Sequence, residues 1–432
     1  MSKDYALKGN IIYSNTDRQL LCAPNSYLIV NNNLCVDVYP CLPEKYQHLQ
    51  VTDYQQAIII PGFTDLHLHA PQYANIGLGM DLELLQWLEQ LTFREEAKFA
   101  DLHYADQAYQ LFCHDLDQSA TTRACIFGTI HRAATEILME KLQGIGIKAY
   151  VGKVNMDSNC PHNLRESSPE QSARDTEAWI TANESKFTNI RPILTPRFVP
   201  SCSPQLLTLL GELQRQYCLP LQSHLSENLS EVAWVKELYP QAASYADVYR
   251  HFGLLGDTVP TIMAHCVYLQ QSEKQLLQER NVFIAHCPTS NTNLSSGAAP
   301  VGEYLERHIP LGLGSDVSGG HTLSMMSIIS QAIAASKLRW RLEDQSCKPL
   351  TVEDGFYLAT LGGGAFFGQV GSFLPGYQMD AIVLDDQRLR SVDPLSLKER
   401  LEKLVFLSDD REIIAKYVAG RKLWDKTPLI AR

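Results

Sequence analysis

No apolar run in this chain reaches the roughly 18 residues that a membrane-spanning helix requires, so no membrane partner is expected. Positive charge is scarce: 37 Lys and Arg stand against 48 Asp and Glu, a net charge of -11. A nucleic-acid backbone, which needs clustered cations, is therefore not an expected partner. The 11 cysteines are scattered, with no CxxC pair. With no secretory leader visible in MSKDYALKGN, they predict a reduced, cytoplasmic protein and not a disulfide framework. Neither a low-complexity tract nor a repeat of about 20 to 50 residues is present, which excludes solenoids and linker arrays.

What is present is a chain of 432 residues, 45% hydrophobic and 20% charged. That length accommodates one large α/β barrel plus a small appended domain. Residues 1–60 read as short strands separated by turns: NIIYS, SYLIVNNNLCVDVYP, and AIII just before Pro61-Gly62. A matching set, GSFLPGYQMDAIVLDD, lies in 371–432. Two strand-rich flanks predict a small β-sandwich domain built from both termini, with residues 61–370 inserted between them. That centre alternates apolar runs (KAYVGKVNMD, IRPILTPRF, LPLQSH, PTIMAHC, VFIAHCPTS, IPLGLGSD) with helical patterns. Counting from FTDLHLH, about eight βα units predict a (β/α)8 TIM-type barrel, whose chemistry belongs at the carboxyl ends of the strands.

His67 and His69 lie two apart in PGFTDLHLH, and the period of a strand turns both imidazoles to one face. An isolated HxH is more often a pair of core histidines, but this pair has company. His224 closes LPLQSH, His265 closes PTIMAH and Asp316 closes IPLGLGSD, each after an apolar stretch. A buried carboxylate needs a cation or a strong donor. Imidazoles and a carboxylate gathered at one end of a barrel make a site for zinc or a similar divalent ion, with one position open to water. Glu227 follows His224 by three residues in HLSE. A metal lowers the pKa of its water toward about 7 and a departing amine still needs a proton, so Glu227 is the expected relay. The competing role for it is an acid at a helix start after Ser226.

PGFTDLHLHAPQY, SHLSE, AHC, HCPTSN, LGLGSD and ATLGGGAFFG, in that order, resemble the amidohydrolase superfamily. The run HAPQYANIGLGMDLELLQWLEQLTFREEAKF resembles the first barrel loop of its guanine deaminases, and TPRFVPSC adds to the match. The resemblance spans residues 10–425. It implies hydrolytic deamination of guanine to xanthine and ammonia by a metal-activated water. It implies one zinc ion per chain, with iron as the alternative, held by His67, His69, His224 and Asp316. Glu227, Asp316 and His265 become the catalytic residues. Gln72, Arg197 and Phe198, together with His69, His224, Glu227 and Asp316, become the substrate-binding set. Relatives with two ions bridge them through a lysine near the end of the fourth strand, where this chain reads TPRF, so a single metal is implied. A homodimer is implied as well.

Arg197 offers donors and no acceptor, so aimed into an apolar pocket it suits the O6 of guanine, and a ligand lacking O6 would leave a buried cation unpaired. Its competing role is an ordinary salt bridge at the barrel rim. Phe198 either packs the purine or sits in the barrel wall. His286 and Asn291, in HCPTSN, are expected to order the loop after their strand, the competing role being contact with the ligand. His131, His251 and His321 have no spacing partner and read as surface or core residues. The cysteines of AHC and HCP read as core-packing thiols. A sister enzyme acting on 8-oxoguanine, a triazine or an adenosine derivative would keep the metal residues and differ around Gln72 and Arg197. A non-catalytic scaffold would have lost ligands, and every matched position here is filled. A nucleic-acid deaminase would carry a basic groove and HxE with PCxxC, both missing.

Overall fold

The computed structural model describes residues 4–256, 259–389 and 391–426. Its centre is a set of eight short parallel strands in two sheets. The first sheet holds Phe63–His69, Thr121–Phe127, Lys148–Gly152 and Ile190–Pro192, in that order. The second holds Leu221–Leu225, Thr261–His265, Phe283–His286 and Leu311–Leu313. The two sheets meet at both seams. On one, Leu194 pairs in parallel with Leu221, and Gln222 N donates to Leu194 O at 3.0 Å. On the other, Asp316 N donates to His67 O at 2.8 Å and His69 N to Val317 O at 2.9 Å.

Helices follow these strands, as the alternating pattern requires. Two of them, Pro169–Asn183 and Pro204–Tyr217, begin with Pro after Ser168 and Ser203, whose hydroxyls accept from Gln171 N and Leu206 N. This combination satisfies orphan donors while proline occupies a position that needs none. The helix Arg132–Ile145 ends at Gly146, whose φ of 83° is one that glycine adopts without strain. With helices outside and side chains filling the interior, strands such as Thr121–Phe127 and Phe63–His69 are buried along their whole length.

Both termini join one seven-stranded sheet, ordered Arg421–Asp425, Ile413–Val418, Ala381–Leu384, Gln50–Pro61, Tyr5–Ser14, Leu20–Asn31 and Leu34–Tyr39. The β domain from both ends is thus present, but its strands are hydrogen-bonded as one sheet where two stacked sheets were expected. Alternation in sequence reports which residues are buried and not how many sheets share them. Its second face is covered by the central unit: Ile58 and Ile60 belong to the large core, Ile59 between them to the small one. Ile382 and Leu384 likewise face the large core while Ala381 and Val383 face the small one.

Lys416, fully buried on this sheet, donates to the carbonyls of Leu116, Asp117 and Ser119 at 3.2, 3.0 and 3.0 Å. These carbonyls lie at the end of the helix Leu102–Gln118, where Leu116 O also accepts from Ser119 Oγ and Asp117 O from Trp424 Nε1. Lys416→Met should destabilise the fold by about 1–3 kcal/mol, because Ser119 O loses its donor while Leu116 O and Asp117 O each lose one of theirs; urea unfolding measures it. Burial lowers the Lys416 ammonium to about 8 from 10.5. Between those values the unfolded chain holds a proton that the fold has released, so stability rises with pH in wild type and not in the variant.

Candidate active site

The strand ends bring His67, His69, His224, His265 and Asp316 to one point. Asp316 Oδ1 lies 3.1 Å from His67 Nε2 and 3.5 Å from His69 Nε2, and its Oδ2 lies 3.7 Å from His265 Nε2. The Nε2 atoms of His69 and His224 approach to 3.2 Å. The ligand atoms of His67, His69 and His224 all fall within 4.8 Å of one another. His265 and Asp316 have φ of 69° and 46°, left-handed values that cost a non-glycine residue about 1–3 kcal/mol and recur at functional sites.

The outer ring nitrogens fix how two of these imidazoles present themselves. His224 Nδ1 donates to the Arg197 carbonyl at 2.6 Å and His265 Nδ1 to Asn291 Oδ1 at 2.8 Å. Each ring therefore turns Nε2 inward as a lone pair. His67 and His265 keep buried Nε2 atoms with no hydrogen-bond partner among the described residues. Converging unpartnered nitrogens around a carboxylate are the donor set of a divalent metal, and this arrangement fits one. Burial pushes His67, His69 and His224 below their ordinary value. Burial would raise Asp316, but His67, His265 and His69 outweigh it and hold that carboxylate well below the usual range.

Glu227 goes the other way. Burial, then the charges of Asp316 and Glu231, push its carboxyl well above the usual range. Its Oε2 sits 3.3 Å from His265 Nε2, and Oε1 accepts from Ser296 Oγ at 3.2 Å. The helix-start role belongs to Glu231, which forms the capping box of Leu229–Leu238 with Asn228 and takes the backbone N–H of Glu227 at 2.8 Å. Glu227 is left free to face the cluster. Two carboxyls driven apart in acidity at one point is the pattern of an acid and a base.

Beside the cluster opens a pocket of about 420 Å³, its mouth included, within the range of small-molecule sites. Gln72, Arg197 and Phe198 line it, as do the apolar Leu84, Trp87, Leu88 and Leu294. The three residues 84, 87 and 88 come from one helical segment, and their i, i+3, i+4 spacing was the available signal for that wall. Sequence reasoning also missed Glu96, Glu231 and Ser296, which reveal themselves only through partners distant in the chain. Arg197 differs from expectation: its Nη1 donates to buried Glu96 Oε2 at 2.6 Å, so the cation is already paired. The argument that a ligand without O6 strands an unpaired charge loses its premise. The pair is buried in the pocket wall and not at an exposed rim.

Asn291 holds His265, which agrees with a role in ordering the site. His286 is buried, with burial lowering it to about 3. His131 is half-buried and His251 and His321 are not buried, and none lines the pocket. Cys266 and Cys287 are buried thiols pushed well above their usual value by burial. Cys287 approaches His67 and His265, but a thiol held protonated is a poor ligand. No helix among the described residues is long and apolar enough to cross a membrane.

The chain belongs to the amidohydrolase family, whose pattern matches residues 58–423. Within that family it is similar to guanine deaminases. That of Dictyostelium discoideum is 41% identical over 381 residues, 86% of this chain and 84% of the relative. That of Homo sapiens is 37% identical over 378 residues, 84% of this chain and 82% of the relative. The crystal structure of a guanine deaminase from C. acetobutylicum, with guanine bound in its active site, matches with a TM-score of 0.94 at 46% identity, covering 97% of this chain and all of that one.

Proposed function

We infer that this chain is a hydrolase that deaminates guanine to xanthine and ammonia. The observation that carries the reading is the complete His67, His69, His224, His265, Asp316 and Glu227 constellation. It stands in a chain 46% identical to a protein whose crystal structure holds guanine. The two central sheets and their seams are read as one (β/α)8 barrel over 61–370, with 1–60 and 371–432 forming the β domain. His67, His69, His224 and Asp316 would hold a single zinc ion, iron being the alternative. When bound, that metal supplies acidity to water. Cytoplasmic location rests on the scattered cysteines without a CxxC pair, and a homodimer on the family resemblance.

The residues then divide the work. Arg197, Gln72 and Phe198 position the purine against the apolar wall. Asp316, the stronger acid of the two carboxyls, takes the proton of the attacking water as oxygen bonds to C2. Glu227, held in its acid form, delivers a proton to the ring nitrogen beside C2. His265 holds the new hydroxyl group. The proton taken by Asp316 passes to the amino group, the C2–N bond breaks and ammonia leaves, and the hydroxyl proton returns to Glu227 as the C2 carbonyl of xanthine forms. Purified protein incubated with guanine should release xanthine and ammonia in equal amounts. Neither product from metal-loaded protein would overturn the reading, and turnover of 8-oxoguanine in preference to guanine would favour the sister activity.

A further inference from the structure

Glu96 stands outside the steps above, yet it joins two residues of the pocket wall. It is 2% exposed. Its Oε1 accepts from Gln72 Nε2 at 2.8 Å and its Oε2 from Arg197 Nη1 at 2.6 Å. At the far end Ser318 N donates to Gln72 Oε1 at 3.3 Å. A carboxylate paired with a guanidinium only accepts and a backbone N–H only donates, so these two partners leave the Gln72 amide one orientation. The Arg197 guanidinium also rests over the Phe93 ring, 5.2 Å from its centre. Phe93 and Glu96 stand three apart on the short helix Phe93–Ala97, so one helix face sets the arginine from two sides.

With one amide N–H held by Glu96 and the amide oxygen turned toward Ser318 N, the groups this wall turns to the pocket are the second N–H of Gln72 and the remaining N–H groups of Arg197. All of them donate. We propose that Glu96 is a specificity-determining positioning residue, which makes the Gln72–Arg197 wall donor-only and so admits purines with a carbonyl at C6 and refuses those with an amino group there. The proposal rests on the guanine reading and names how its substrate is told apart. Guanine shows two neighbouring acceptors, N7 and O6, whereas a 6-aminopurine places an N–H₂ donor where O6 would be. Donor against donor leaves both groups unpaired in a dry pocket, and sites built on such matching reject the mismatch by roughly 10⁴- to 10⁵-fold.

The test is kcat and KM for guanine and for 2,6-diaminopurine, which share the 2-amino leaving group and differ at C6. They are measured in wild type, Glu96→Gln and Glu96→Ala, with melting temperature and metal content recorded. In Glu96→Gln the new amide serves Arg197 with its oxygen and turns its NH₂ to Gln72. Gln72 must then flip, and a lone pair lies where its N–H did. Wild type should prefer guanine by at least about 10³-fold. In Glu96→Gln the loss on guanine should fall mainly on KM while 2,6-diaminopurine holds or improves, lowering the ratio by about 10-fold or more. A purely structural role would lower both substrates in parallel, so an unchanged ratio in folded, metal-loaded variant overturns the proposal. Equal use of both purines by wild type overturns it with no variant needed, which keeps the test open should both variants misfold. A wild type that deaminates neither sinks the guanine reading itself and is a separate result.

Discussion

Glu227→Gln is expected to keep its fold and metal content and to lose about 10²- to 10⁴-fold in kcat on guanine. The amide fills the same space and can still accept from Ser296 Oγ, so the loop after Leu221–Leu225 has no reason to move. What it cannot do is give up a proton. Burial and the neighbouring charges of Asp316 and Glu231 raise the wild-type carboxyl, so its acid form persists well above the usual carboxylate range. Wild-type turnover should therefore fall as pH climbs through that raised value, and the residual rate of the variant should not follow it. Stability carries the same sign in metal-free protein: a raised folded-state value means stability present at low pH and lost as pH rises through it, and glutamine removes that slope. Near-normal turnover in a metal-loaded variant would assign the relay to another residue.

Chelation is expected to abolish turnover and lower the melting temperature together, and one equivalent of zinc per chain to restore both. The reason lies in what remains without the ion. Among the described residues His67 and His265 keep buried nitrogens with no hydrogen-bond partner, and the buried carboxylate of Asp316 lies 3.1 Å and 3.7 Å from them. A ligand present at a thousandfold excess over its dissociation constant stabilises by about 4 kcal/mol, so loss of a tightly held metal should show in thermal unfolding. Elemental analysis of protein as purified should find about one divalent ion per chain. Two tightly bound equivalents would contradict the single-metal reading, and activity indifferent to chelation would contradict metal chemistry altogether. Reconstitution with iron in parallel separates the two candidate metals.

The meeting of these histidines with Asp316 was legible because strand periodicity is short-range physics. His67 and His69 share a face by spacing alone, and His224, His265 and Asp316 each end an apolar run. The Glu96 bridge was not legible, since nothing local distinguishes that glutamate from Glu95 beside it; only the meeting of residues 72, 96 and 197 does. The same holds for Asn291 behind His265 and Glu231 behind Glu227. In the fold, the run AIII before Pro61-Gly62 announced a strand but left open that Ile58 and Ile60 meet the large core and Ile59 the small one. One continuous sheet, in place of a sandwich, is a matter of long-range pairing that the strand patterns do not encode.

That sheet has a consequence for the order in which the molecule is made. Gln50–Pro61 runs almost directly into Phe63–His69, the strand that carries the HxH pair, and Pro61 pairs with Ala381. The partner strand is thus synthesised about 320 residues later, a delay of tens of seconds at the pace of translation. Until then one edge of Gln50–Pro61 lies open on the nascent chain, and so long a closure makes this pairing slow as well as late. A chain cut short before Ala381 would therefore carry His67, His69, His224, His265 and Asp316 and still lack the neighbour that brackets the strand leading into the first two.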